Sequence, residues 1–219
     1  EISNIIKACN ITDGCFKYIL SYIKPGMTEK QIAKEIDDYY TERTDGTSFD
    51  TIVASGENSS KPHAVPSNRK IQEHDIITID MGCKVNGYCS DMTRTFFVGE
   101  IPEEMKKVYD LVLKNQVQTL NDMREGYSTK MLAKMVDNDF RLNNYDLIHA
   151  LGHGVGLDIH ESPIISTRSE NALKENMVVT DEPGIYIAGQ FGSRIEDTVW
   201  ITKGGCEALT KSNKEYVVI

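Results

Sequence analysis

The feature that most constrains this chain is that it repeats itself. Gly26 to Asp37 reads GMTEKQIAKEID, and one hundred residues later Gly126 to Asp137 reads GYSTKMLAKMVD, with Gly, Lys, Ala, Lys and Asp in register. Further echoes follow in the same order. His63-Ala64-Val65-Pro66 is matched by His160-Glu161-Ser162-Pro163, and the run from Ile76 to Gly82 by Val178 to Gly184. Asp91-Met92-Thr93 is matched by Glu196-Asp197-Thr198. Two copies are too few for a solenoid, so this is a duplicated unit whose halves, about 1–100 and 101–219, form one domain around a pseudo-twofold axis. The matched residues include two acidic pairs and a histidine pair, which such an axis would gather between the halves.

Each half reads helix, helix, strand, strand. Apolar residues at Ile5, Ile6, Cys9, Phe16, Ile19, Leu20 and Ile23 keep helical spacing until Pro25-Gly26. Thr28 with Gln31 forms a capping-box pattern opening a helix to about Tyr40. Short apolar runs at Thr51–Ala54, Ile76–Met81 and Tyr88–Val98 read as strands, the last two joined by Asn86-Gly87, a strong hairpin signal. In the second half, helices span Pro102 to Met123 and Ser128 to about Asp139. Strands follow at Met177–Asp181, Gly184–Ala188 and Thr198–Thr202. The fold class is therefore α+β.

The 219 residues can bury a substantial core without disulfides. A net charge of −9 rules against a general nucleic-acid binder or an anionic-membrane binder, because no basic field would meet the phosphates. The apolar runs are far shorter than the ~20 residues of a membrane span. The five cysteines are odd in number, scattered and without a C-x-x-C pair, which favours a reducing, cytoplasmic setting and a role as small buried side chains. The chain opens on Glu1 within a helical pattern, so a preceding segment is expected.

The hairpin places two carboxylates together. With Asn86-Gly87 as a two-residue turn, Val85 faces Tyr88 and Gly82 faces Asp91. Asp80 and Asp91 then share a face as diagonal neighbours with Cβ atoms about 7 Å apart. Two such carboxylates repel unless a cation or a shared proton compensates them, or unless one faces solvent or pairs with Arg94. Glu182 and Glu196 occupy the corresponding hairpin, whose longer loop leaves the register open. His153, flanked by glycines that let another element approach, is a further candidate ligand. Four carboxylates and one imidazole suit a two-ion site of Mn²⁺, Co²⁺ or Fe²⁺, with Zn²⁺ an alternative, and no Cys joins them. Two ions about 3.5–4 Å apart would hold a water with its pKa lowered toward neutrality. His63 and His160, in the repeated H-x-x-P, are placed to stabilise an oxyanion or protonate a leaving nitrogen. His74, before a strand in a charged stretch, reads as surface.

These residues carry a family resemblance over nearly the whole chain, from about Ile5 to Thr202. Asp80-Met81-Gly82 with Asp91, the string HALGHGVGLDIHE (His149 to Glu161), EPGIY (Glu182 to Tyr186) and RIED (Arg194 to Asp197) resemble the pita-bread metallopeptidases. That group includes aminopeptidase P, prolidase and methionine aminopeptidase. The resemblance implies metal ligands at Asp80, Asp91, His153, Glu182 and Glu196. It implies catalytic histidines at His63 and His160, a proton-moving role for Glu182, and supporting roles for His149 and Arg194. EPGIY followed closely by RIED looks like the proline-specific branch. The implied reaction is hydrolysis of Xaa-Pro bonds by a metal-bridging hydroxide, on peptides or dipeptides, with two divalent ions as cofactor. It also implies an N-terminal domain ahead of residue 1, through which a homodimer would form. Competing readings are a methionine aminopeptidase-like hydrolase, which the short EPGIY–RIED separation disfavours, and a creatinase-like hydrolase or a catalytically silent binding module of the same fold, which the intact ligand set disfavours.

Overall fold

Helix formation starts from the expected signals. In the computed structural model, which describes residues 1–219, α1 (Ile2–Tyr22) buries Ile5, Cys9, Phe16 and Ile19 along one stripe. It gives way to α2 (Glu29–Thr41) at Thr28, whose hydroxyl accepts from the Gln31 amide while Gln31 Oε1 accepts from the Thr28 amide. Both halves use the same turn here, since Gly26 and Gly126 sit at φ of 91° and 80°, a region open to glycine at no steric cost.

After the helices come β1 (Ile52–Ser55), a short 3-10 turn at Gly56–Ser60, β2 (Ile76–Met81), β3 (Lys84–Val85), β4 (Tyr88–Cys89) and β5 (Met92–Phe97). The second half repeats the plan with α3 (Glu103–Asp122), α4 (Thr129–Leu142), β6 (Gly152–Gly154) and β7 (Glu161–Ile165). It continues with β8 (Val178–Asp181), β9 (Gly184–Ile187), β10 (Phe191–Arg194), β11 (Asp197–Thr202) and β12 (Gly205–Ala208). The first half forms an antiparallel sheet in the order β1-β2-β5 and the second a sheet in the order β12-β11-β8-β6-β7. The triplet β6-β8-β11 repeats β1-β2-β5, as the duplication requires. Each half packs its own helices on its own sheet. One core gathers Phe16, Ile32, Ile36, Ile77 and Phe96, and the other Val112, Leu132, Val136, Phe140 and Val179.

The hairpin register follows the turn. Val85 pairs with Tyr88 and Lys84 with Cys89, and beyond the interruption Met81 pairs with Met92 and Asp80 with Thr93. The expected single strand from Tyr88 to Val98 is broken at Ser90-Asp91. There the Asp91 amide leaves the ladder and donates to Thr198 Oγ1 in the other half, at 3.1 Å. The second hairpin keeps an equally continuous register. Asp181 pairs with Asp197 and Ile187 with Phe191, which puts Glu182 directly opposite Glu196 rather than diagonal to it.

Five strands are additions to the sequence expectation: β3, β6, β7, β10 and β12. The stretch around His153, for which the sequence predicts no element, is a strand. All five cysteines are free, four buried and Cys206 half-buried. His74 is exposed. No helix is long and apolar enough to cross a membrane.

Candidate metal centre

The nine residues expected to form the site face one cavity. It measures about 570 Å³, and His63, Asp80, Asp91, His149, His153, His160, Glu182, Arg194 and Glu196 all line it. Phe49, Asp50, Ile52, Pro62, Ala150, Ile159 and Ile164 complete the wall. The acids come from strand ends. Asp80 lies near the end of β2, Asp91 just before β5, Glu182 just after β8 and Glu196 between β10 and β11.

His153 arrives on β6, and the glycines beside it explain how. A Cβ at Gly152 would lie 2.1 Å from the Thr180 carbonyl oxygen, and one at Gly154 would lie 2.4 Å from that of Ser162. Bare backbone lets β6 thread between β8 and β7, which brings His153 against the acids. Its amide donates to Thr180 Oγ1 at 3.0 Å, and that hydroxyl donates to Glu182 Oε1 at 3.0 Å.

The donor atoms converge. Ligand atoms of Asp91, His153 and Glu196 lie within 4.8 Å of one another. His153 Nε2 is 3.5 Å from Asp91 Oδ2 and 3.3 Å from Glu182 Oε1. Asp80 is held differently, with Oδ2 accepting from Arg194 Nη2 at 2.7 Å while Oδ1 is buried without any partner.

This arrangement fits divalent cations. His153 Nδ1 lies 3.0 Å from the Gly154 carbonyl, which can only accept, so Nδ1 carries the proton and Nε2 presents a lone pair. Burial also lowers the His153 pKa. A lone pair facing two carboxylate oxygens is repulsive unless a cation sits among them or protons cap the acids. The acids show the same strain. Burial first, and then their mutual repulsion, pushes Asp91 and Glu196 well above the ordinary carboxylate range. Burial raises Glu182 too, against the opposing pull of His149 and Arg194. An oxygen-rich set with one imidazole, a fixed tautomer and an orphaned carboxylate oxygen is the donor chemistry of a hard-to-borderline divalent ion.

A hydrogen-bonded frame backs the acids. Arg194 donates from Nε to Thr93 Oγ1 at 3.0 Å, and from Nη1 to Tyr186 Oη at 2.8 Å and to the Pro62 carbonyl at 3.0 Å. His149 Nδ1 is pinned by the Ala150 carbonyl at 2.7 Å, so its Nε2, 2.9 Å away, accepts the Tyr186 hydroxyl hydrogen. Burial pushes the Tyr186 phenol up to about 12. The rings of His153 and His160 stand edge to face with centroids 4.4 Å apart. His63 is exposed at the rim. Arg94, a potential partner for the first acid pair, instead binds Asp197 on the far side of the strands at 2.7 Å.

Sequence reasoning missed Tyr186, Thr93, Thr180 and Thr198. Tyr186 lay inside EPGIY, and Thr93 and Thr198 lay in the repeated acid-x-Thr motif, so the signal was present but assigned to the acids alone.

Comparison with known proteins settles the family. The sequence profile of metallopeptidase family M24 matches residues 3–203. The chain belongs to metallopeptidase family M24. A Xaa-Pro dipeptidase of Pyrococcus furiosus is 42% identical over 223 residues, covering 99% of this chain and 63% of the relative. The crystal structure of X-Pro aminopeptidase from Thermotoga maritima superposes with a TM-score of 0.96 at 40% identity, covering 100% of this chain and 63% of that one. A Xaa-Pro dipeptidase from Bacillus anthracis gives 0.97 at 39% identity, covering 100% and 62%. This M24 chain thus has the pita-bread fold and spans somewhat under two thirds of the length of the relatives it matches.

Proposed function

We propose that this M24 domain hydrolyses the bond between an N-terminal residue and proline in short peptides or dipeptides, using two divalent ions, Mn²⁺ in the first place. The observation that carries the reading is the His153 lone pair set against Asp91 and Glu182 at the floor of a cavity that all nine expected side chains line. Asp80, Asp91, His153, Glu182 and Glu196 would hold the ions. Bound there, the ions supply Lewis acidity and bring the pKa of water toward neutrality.

The remaining chemistry belongs to the chain. Glu182 takes up and passes on a proton, a role suited to a carboxyl whose pKa burial has raised. His160, beside His153, donates to the oxygen on which charge develops. His63 delivers the proton that the proline nitrogen needs in order to leave. That nitrogen is a tertiary amide without N–H, which ordinary peptidase clefts reject. Arg194, fixed by Asp80, Thr93 and Tyr186, offsets part of the acids' mutual repulsion and keeps the Pro62 carbonyl in place, while His149 orients Tyr186. The Phe49, Ile52, Ile159 and Ile164 walls suit a pyrrolidine ring. Five free cysteines fit a cytoplasmic setting.

Hydrolysis of an Ala-Pro dipeptide and an Ala-Pro-Ala tripeptide, after EDTA treatment and Mn²⁺ or Co²⁺ restoration, tests the proposal beside Asp91→Ala. Metal-dependent cleavage that the substitution abolishes supports it, and the faster substrate separates dipeptidase from aminopeptidase. Absence of metal binding overturns it.

A further inference from the structure

The two histidines of the repeated H-x-x-P are carried very differently. His160 runs directly into β7, whose residues Glu161 to Ile165 are laddered to β6. His63 sits on a segment, 61–70, that contains no strand and pairs only through a single bridge from Lys70 to Thr28. Its ring is exposed and makes no side-chain hydrogen bond, so its aim is set by the backbone alone. An irregular segment of this kind needs partners for its backbone groups if it is to hold one shape.

Arg194 holds the Pro62 carbonyl at 3.0 Å, and the two flanks of the segment, Asn58 and Ser67, meet on Glu29. This carboxylate, at the start of α2, is 0% exposed. Oε1 accepts from the Ser55 amide and hydroxyl, each at 2.7 Å. Oε2 accepts from Asn58 Nδ2 at 2.9 Å, the Ser67 amide at 2.9 Å and the Ser67 hydroxyl at 2.7 Å. Asn58 precedes His63 and Ser67 follows it, so one oxygen ties both ends of the segment together. No cation contacts Glu29; neutral donors satisfy a buried charge. The repeat supplies a control within the same chain. At the equivalent position Thr129 bonds only Ser169 Oγ and the Asn171 carbonyl, each at 2.8 Å, in the half where β7 already orders the histidine segment.

We propose that Glu29 is the positioning residue for His63, taking the part in the first half that a β ladder takes in the second. The inference rests on the peptidase reading for its catalytic consequence, and on geometry alone for the placement. In Glu29→Gln an amide N–H₂ replaces one acceptor, so donors on that side meet a donor and lose their bonds.

The test compares wild type, Glu29→Gln, His63→Ala and the double substitution, all Mn²⁺-loaded, by hydrogen–deuterium exchange and by Ala-Pro hydrolysis. Exchange should rise in residues 61–70 with the strands bearing the acids unaffected, and Mn²⁺ affinity should hold. Turnover should fall roughly 10- to 100-fold with KM little changed. Introduced into His63→Ala, the same substitution should cost no more than about twofold, because the residue it positions is already gone. Equal losses in both backgrounds, or unchanged exchange in 61–70, overturn the proposal. If wild type cleaves no Xaa-Pro peptide, the functional reading fails, and exchange alone still decides whether Glu29 holds the segment. Should Glu29→Gln not fold, Ser67→Ala removes one bond to Oε2 and the acceptor of the Arg69 amide, and exchange should still rise, at smaller size, in residues 61–66; unchanged exchange in 61–66 overturns the proposal too.

Discussion

Thr93 donates its hydroxyl hydrogen to Glu196 Oε2 across 2.6 Å, from the opposite half of the chain. Its repeat counterpart Thr198 answers across the same seam, accepting from the Asp91 amide at 3.1 Å and donating to the Asp91 carbonyl at 2.7 Å. Each half therefore orients the acid that the other half supplies. The duplication brings the acids to one place, and this exchange of threonine contacts fixes their direction once there. The Glu196 amide adds a bond to the Thr93 carbonyl at 3.0 Å. A site built this way cannot form from either half alone.

Thr93→Val should weaken Mn²⁺ binding by roughly 10- to 100-fold, the usual effect of losing an outer partner of a ligand. Valine fills the same volume but removes the donor to Glu196 and the acceptor for Arg194 Nε. Thr93→Ser keeps the hydroxyl and should bind nearly as wild type. Titration calorimetry on the metal-free protein reads both, and equal affinity for all three proteins would show that Glu196 needs no such support.

The acids also set an unusual pH dependence. Asp91, Glu182 and Glu196 have folded-state pKa values raised by burial and by one another, so the metal-free native state binds more protons than the unfolded chain. Stability then falls as pH rises from the ordinary carboxylate range toward and through the raised values, and it grows as pH is lowered from neutrality. Mn²⁺ reverses the sign, because protons compete with the ion for the same oxygens. Thermal unfolding between pH 5 and 8 should show Tm rising toward acid without metal and falling toward acid with it. Parallel profiles would mean that the carboxylates do not share a site.

Much of this site was legible because a hairpin turn of two residues fixes register. Asn86-Gly87 by itself places Gly82 against Asp91, and hence Asp80 on the same face. The second pair was not readable in that way. Its turn, Ala188 to Gln190, closes a separate two-stranded element between the two glutamates, and only pairing of Asp181 with Asp197 reveals that they face each other. His153 was recognisable as a candidate but not as a strand residue. Three residues with two glycines carry no strand periodicity, and the strand exists because β7 and β8 flank it. Tertiary contacts of that kind leave no local trace.

Gly152→Ala tests that threading. The added methyl would meet the Thr180 carbonyl oxygen at 2.1 Å, and backbone rather than a movable side chain must yield. Overpacking of this kind costs about 1–3 kcal/mol. The displacement falls on the element that holds His153 and on the bond from the Glu182 amide to the Leu151 carbonyl at 2.9 Å. Urea denaturation should show the loss of stability, and Mn²⁺ affinity should fall with it. A stable Gly152→Ala protein with full metal affinity would contradict the packing described.

Behind the acids, on the other side of the same strands, lies a charge cluster of opposite character. Asp197 is 0% exposed and accepts from Arg94 Nη2 at 2.7 Å, Gln116 Nε2 at 2.8 Å, Thr210 Oγ1 at 2.8 Å and Lys214 Nζ at 2.5 Å. Burial alone would raise its pKa, but Arg94 and Lys214 outweigh it and hold the carboxyl below its usual value. The sign is therefore opposite to that of the metal-site acids. A depressed carboxylate contributes its stability in full above the unfolded pKa and loses it as pH falls through the folded one. Asp197→Asn leaves the buried Arg94 guanidinium facing a neutral amide, and breaking a buried pair in this way costs about 3–5 kcal/mol. At neutral pH urea unfolding should show that deficit. Below about pH 4 the carboxyl of the unfolded chain protonates first, so the wild-type advantage shrinks and the two proteins should converge as pH falls through the lower folded value. A gap that persists unchanged into acid would mean that shape, not charge, is what Asp197 contributes.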